Sequence, residues 1–272
     1  MAKNKNTGGE MSFLDHLEEL RWILVRSCAA ILIGAVVAFV FSREIFDDII
    51  FAPKRADFIT YRIFCDLANK YDLDKSFCVT ELPFAVISRT MDGQFSTDIW
   101  TAITAGLILA FPFILWQVWK FIAPALYDNE RKNAVSFIVF TSLLFFLGVL
   151  FGYYLIMPLS INFLANYTIS KEVINNVDLD SYLSLIKTTV ISCGLVFEMP
   201  IIIYFLAKLG LVTASFLRKY RRYALVIILI VAAVVTPPDV VSQMTVTIPL
   251  VILYEASILI AARMNKTPKT TE

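Results

Sequence analysis

Long apolar runs separated by short charged stretches dominate the chain. Four of them, Trp22–Phe41, Ile99–Phe121, Ala134–Met157 and Tyr182–Leu209, reach the ~20 residues that a helix needs to cross a hydrocarbon core of ~30 Å. A fifth run, Tyr223–Thr236, is bracketed by Arg222 and Pro237; as a helix it covers only about 21 Å. A sixth, Met244–Ala262, contains Pro249 and Glu255. Between these last two lies Thr236–Asp239 (TPPD), a polar turn that favours water. The pattern therefore predicts two short spans rather than a re-entrant hairpin, with local bilayer thinning or support from neighbouring helices. The expected fold is an all-α membrane protein of six transmembrane helices, a concave, glove-like bundle in which spans five and six are short.

Polar positions set the ends. Residues 1–11 read as a disordered tail. Ser12 with Asp15 three residues on marks a helix start, and the amphipathic, acidic SFLDHLEELR runs from it into span one. A single membrane domain over 12–263 follows, with a second tail at 264–272. Lys3, Lys5 and Arg21 precede span one; Lys120, Arg131 and Lys132 separate spans two and three. Arg218, Lys219, Arg221 and Arg222 separate spans four and five, and Arg263, Lys266 and Lys269 follow span six. Positive residues collect on the cytoplasmic side, which predicts that both termini are cytoplasmic. Residues 42–98 hold seven Lys/Arg and ten Asp/Glu, but the charge rule weakens over long loops, so this loop is placed outside.

Composition agrees with a polytopic membrane protein. Hydrophobic residues make up 58% and charged residues 17%, against about 45–50% apolar in soluble domains. The first apolar run is too long for a cleaved leader and lacks a small-residue cleavage site, so it reads as a retained span. No internal repeat is visible. The chain has no G-x-x-x-x-G-K-[ST], G-x-S-x-G or H-E-x-x-H pattern, and His16 is its one histidine. Nucleotide cradles, nucleophile elbows and His-based metal sites therefore lack parts; no cofactor, metal or enzymatic activity is expected. Cys28 and Cys193 fall in apolar runs, and the spacing of Cys65 and Cys78 fits no zinc pattern.

Several residues are candidates for recognition. Glu19 lies on the acidic entry helix beside Asp15, Glu18 and Arg21, and Glu130 follows Asp128 at the start of span three. Both also read as acids favoured by a helix dipole. Brought together by span packing, the two carboxylates suit two guanidiniums, because a carboxylate accepts a guanidinium fork bidentately. Glu198, before Pro200, and Glu255 are carboxylates inside predicted spans, where a charge is expensive and points to a functional role; pairing with a Ser, Thr or Gln of another span, or neutralisation, are the plainer alternatives. Gln117 in span two is a further polar group expected to face protein. Pro200 and Pro249 are expected to kink or unwind their helices. Trp116, Trp119 and Phe121 read as a peptide-binding wall or an interfacial aromatic belt.

Taken in order, HLEELR (His16–Arg21), FAP (Phe51–Pro53), PFILWQVWKFIAPALYDNER (Pro112–Arg131), FEMP (Phe197–Pro200) and TPPDVVSQ (Thr236–Gln243) resemble the TatC family, receptor subunits of the twin-arginine protein translocase. The resemblance covers about Phe13–Arg263. It implies a protein that binds signal peptides carrying paired arginines and exports folded proteins with single-span partners of the TatA and TatB types, driven by the proton-motive force. It also implies self-association. The family's signal-peptide site falls on Glu19 and Glu130, with Arg21 and Phe121 nearby. Its structural bend falls on Pro53, its buried acid on Glu198 and its polar turn on Asp239; Gln117, Gln243 and Glu255 complete the intramembrane polar set. Two non-receptor readings remain on the residues alone: a secondary transporter coupled through Glu198 and Glu255, and a scaffold. The chain departs from the family in a longer first external loop, about 54–87. On an oxidising side of the membrane its Cys65 and Cys78 are expected to pair as a disulfide; two reduced, buried thiols are the alternative.

Overall fold

The computed structural model describes residues 13–72, 78, 82–122, 134–170, 172, 175–236 and 240–264. Helix α1 (Phe13–Val40) buries Ile23, Ser27, Ala35 and Ala38 on one stripe and leaves Leu32, Ile33, Val36 and Val40 more than half exposed. That stripe packs on α3 (Gly93–Ile122). The two backbones meet at Gly34 and Gly106: a Cβ on Gly106 would lie 2.5 Å from the Ile31 carbonyl oxygen. Lipid gives helices no hydrophobic drive to associate, so close backbone approach at small residues supplies the packing. Helix α4 (Ala134–Phe151) meets α6 (Leu179–Phe197) in the same way, with Gly148 against Cys193 and Gly194.

Between α1 and α3 the chain builds a lobe. A π-helical turn at Ile45–Ile50 and a 3-10 turn at Ala52–Lys54 lead into α2 (Ile59–Lys70). The sulfurs of Cys65, on α2, and Cys78 are bonded as a disulfide. The lobe is fixed to the end of span three. There α4 passes through a π-helical turn at Gly152–Ile156 into α5 (Met157–Asn166), so the helical path runs on past Met157, where the sequence predicted its end. Pro158 sits in the first turn of α5, where its missing N–H is least costly. It still deprives the Tyr154 carbonyl of its partner four residues on, and the Thr60 hydroxyl donates to that carbonyl instead. The buried Tyr61 hydroxyl lies 3.0 Å from the carbonyls of both Pro53 and Pro158. Tyr153 donates to the Ile49 carbonyl at 2.7 Å and Tyr182 to that of Ile50 at 2.9 Å. Strand β1 (Ala85–Ile87) pairs in parallel with β2 (Asn176–Asp178), Val86 opposite Val177. The loops before α3 and before α6 therefore lie at the same end of the bundle.

Glu198 interrupts span four. It follows the last residue of α6 and precedes α7 (Met199–Lys208), whose first turn contains Pro200. Pro200 has no N–H for the Val196 carbonyl, and Glu198 itself turns in a three-residue bond to Leu195. After α7 the chain reverses at Gly210, whose φ of +75° suits a residue without a Cβ. Then come α8 (Ala214–Lys219), capped by the Thr213 side chain, α9 (Arg221–Val235) and α10 (Val240–Met264). Helix α10 is not unwound at Pro249 and stays helical on both sides of it. A buried apolar core, including Phe197, Ile203, Ala232, Leu250 and Ile258, joins α6, α7, α9 and α10.

Among the described residues, five helical segments are long and apolar enough to cross a membrane: Leu17–Val40, Gly93–Phe121, Val135–Asn166, Leu179–Lys208 and Val240–Arg263. Helix α9 is apolar but has 15 residues, about 22 Å of rise, below the ~30 Å core.

Candidate functional site

The α1–α3 crossing fixes which recognition residues share a level. The helices run antiparallel: Arg26 and Phe113 border one groove, Gly34 faces Gly106, and Arg43 and Asp98 border one cleft. Following both helices fifteen residues from the glycine contact toward the α1 N-terminus reaches Glu19 on one and Phe121 on the other. Both are half-buried there, whereas Glu18 and Arg21 are exposed. Glu130 and Asp128 lie outside the described residues, as do Ser12 and Asp239. The aromatic wall divides in two. Trp119 is buried, 4.6 Å from the Phe137 ring and 6.2 Å from the Phe205 ring, so it is packing. Trp116 faces outward with the Lys120 ammonium 4.1 Å from its ring centre, a cation–π contact.

A second group of polar residues is buried without hydrogen bonds. Glu198 is 8% exposed, and neither carboxylate oxygen has a partner among the described residues. The same holds for Gln117 Oε1 on α3, the Thr141 and Ser142 hydroxyls on α4, and Thr189 on α6. Gln243 is tied: its Nε2 donates to the Leu229 carbonyl on α9 at 3.3 Å. Glu255 is also paired, but not with the Ser, Thr or Gln expected of a buried span. The Arg221 guanidinium at the start of α9 donates to it at 2.7 Å, and both side chains are roughly half exposed. Glu255 is thus a surface ion-pair residue and does not share the burial of Glu198. Pro53 is buried and its carbonyl is held by Tyr61. Burial pushes the Tyr61 hydroxyl above its ordinary pKa. Sequence reasoning missed Thr60, Tyr61, Tyr153 and Tyr182 as the pins of the lobe; a hydroxyl near Pro158 and tyrosines flanking apolar runs were the available signal. Among the described residues, no cluster of His, Cys, Asp and Glu could hold a metal ion.

Long apolar helices and close glycine-mediated crossings define a multi-pass membrane protein. The family model for Sec-independent protein translocase protein (TatC) matches residues 15–249. The chain is 42% identical over 263 residues to the TatC protein of Blattabacterium sp. subsp. Periplaneta americana, covering 96% of this chain and 99% of that one. It is 37% identical over 257 residues to TatC of Helicobacter pylori, with 94% and 91% covered. Two crystal structures of the twin arginine translocase receptor TatC also align. One has a TM-score of 0.67 at 31% identity, covering 92% of this chain and 100% of that one. The other has a TM-score of 0.69 at 32% identity, with 90% and 99% covered. The chain belongs to the TatC family of Sec-independent protein translocases.

Proposed function

We propose that this chain is the receptor and core subunit of a twin-arginine translocase. It binds paired-arginine signal peptides where the α1 N-terminus meets the α3 C-terminus, through Glu19 and Glu130 with Arg21 and Phe121 alongside. It exports folded proteins with TatA- and TatB-type single-span partners and with further copies of itself, using the proton-motive force. Helix α9 is the short fifth of six spans in one membrane domain, 12–263, and both termini are cytoplasmic. The buried acid Glu198, with Gln117 near it in the polar set, faces a concave surface that receives a partner's helix; Gln243 braces that surface. Pro53 and Asp239 shape the opposite side, and the Cys65–Cys78 bond closes the lobe there. The observation that carries the reading is the near full-length likeness to the solved twin arginine translocase receptor. The register that levels half-buried Glu19 with Phe121 supports it.

The test is site-specific crosslinking from positions 19, 121 and 130 to a signal peptide with and without its paired arginines. A hydrogen bond to a charged group is worth ~1.5–3 kcal/mol, so Glu130→Ala is expected to weaken binding about ten- to a hundredfold. Glu19→Ala should do less, and the exposed Glu18→Ala should do little. Exchanging both arginines of the peptide for lysine should also cost affinity, because charge is kept but the fork is lost. Equal crosslinking of all peptides would overturn the receptor reading. The alternative, a secondary transporter coupled through Glu198 and Glu255, is weakened by the Arg221 pair that occupies Glu255.

A further inference from the structure

At the lobe end of the bundle an open cleft of about 1100 Å³ lies between the end of α1, the start of α3 and β1. It is lined by three cations, Arg43, Lys54 and Arg55, and by two carboxylates, Asp47 and Asp98. Five charges share one cleft, yet among the described residues none of them forms an ion pair. Arg55 donates to the backbone carbonyl of Asp47 rather than to its carboxylate, and Lys54 stands over the Phe84 ring. One oxygen of Asp98 is buried with no hydrogen-bond partner. Arg43, Asp47 and Arg55 are exposed and Lys54 and Asp98 half-buried, so charges of both signs are open to a ligand that carries both.

The position of the cleft limits what can balance them. Arg43 lies three residues beyond the apolar run of α1, and Asp98 lies one turn into α3. This is the depth of the headgroups in one leaflet. Phe46 and Phe95 form apolar walls toward the helices. We infer that the cleft binds the headgroup of a zwitterionic phospholipid bearing a primary ammonium, of the phosphatidylethanolamine type, from the leaflet on the side of the lobe. The cations take the phosphate, as guanidinium and ammonium groups do. The Asp98 side of the cleft takes the ammonium, whose three N–H donors match carboxylate acceptors. An anionic headgroup without an amine would satisfy the cations and leave Asp98 alone. A choline headgroup carries the charge but no N–H donor. A peptide segment carrying both charges is the other candidate, and it is less suited to a site flanked by two lipid-facing helix ends.

The test uses the purified full-length chain in detergent, loaded with equimolar dioleoyl phosphatidylethanolamine, phosphatidylcholine and phosphatidylglycerol and read by native mass spectrometry. Phosphatidylethanolamine should be retained about tenfold over each of the others, the size of one charge-assisted hydrogen bond. Its N-methyl, N,N-dimethyl and N,N,N-trimethyl derivatives should be lost stepwise, a series that requires no variant. Asp98→Asn should reduce the preference over phosphatidylcholine to near parity, Arg43→Gln should weaken retention of phosphatidylethanolamine and phosphatidylglycerol alike, and the exposed Glu172→Gln on a neighbouring loop should change nothing. Equal retention of the three lipids, preference for phosphatidylglycerol, indifference to N-methylation, or an unchanged preference in a folded Asp98→Asn chain would each overturn the proposal. Displacement of the lipid by a peptide that then occupies the cleft would do the same.

Discussion

The lobe end and the interior around Glu198 treat buried polar groups in opposite ways. At the lobe, carbonyls left free by Pro158 and by the irregular turns at Ile45–Lys54 are met by Thr60, Tyr61, Tyr153 and Tyr182, while side-chain oxygens of Ser160, Asp98 and Thr101 stand apart. Deeper in the bundle, Pro200 breaks the helix beside Glu198 in a similar way, yet Glu198, and Gln117, Thr141, Ser142 and Thr189 elsewhere on α3, α4 and α6, have buried side-chain oxygens without hydrogen bonds among the described residues. A buried polar group lacking a partner costs about 1–3 kcal/mol. At one end the backbone frame is therefore tied by side-chain hydroxyls. The other holds buried polar groups that have no partner among the described residues.

The largest effect that tests this contrast is expected from the disulfide. Replacing Cys65 and Cys78 by serine should destabilise the lobe by about 3 kcal/mol, the typical value for a loop of this size. Hydrogen exchange of the α2 amides reads it, and unchanged protection would mean that the tyrosine pins alone hold the lobe. Next comes Tyr61→Phe, which removes the single O–H shared by the Pro53 and Pro158 carbonyls and should cost about 1–3 kcal/mol in thermal unfolding. The Tyr61 hydroxyl is raised above its ordinary 10.0 by burial. The unfolded phenol therefore ionises first, so lobe stability should fall as pH rises above that value; Tyr61→Phe should blunt the fall. The smallest and opposite effect is expected at Glu198. Glu198→Leu should raise thermal stability by about 1 kcal/mol, because it removes an unpartnered buried carboxylate, while abolishing export of a folded reporter. A loss of stability there would mean that Glu198 is satisfied within the chain and would erase the contrast.

Much of the frame was legible in the sequence because it follows from local chemistry. Four apolar runs mark helices since only about 20 apolar residues satisfy a bilayer crossing, and Pro200 marks the break beside Glu198. The misses have non-local causes. Helix α5 continues beyond Met157 because Thr60, nearly a hundred residues earlier, serves the carbonyl that Pro158 abandons. Three-residue strands from two separate loops leave no periodic trace. Nothing local to Glu255 names Arg221, 34 residues away, as its partner. Trp119 and Trp116 look alike in sequence, and only packing on Phe137 and Phe205 separates them.

The glycine contact between α1 and α3 also makes α1 a lever of unequal arms. From Gly34 the arm to Glu19 has fifteen residues and the arm to Val40 has six. Tilting the helix by about 5° around that fulcrum would sweep the Glu19 end by roughly 2 Å, given a rise of 1.5 Å per residue. The Val40 end would swing the opposite way by less than half as much. A tug on the long arm is thus geared down into a small, stiffer displacement beside Arg43.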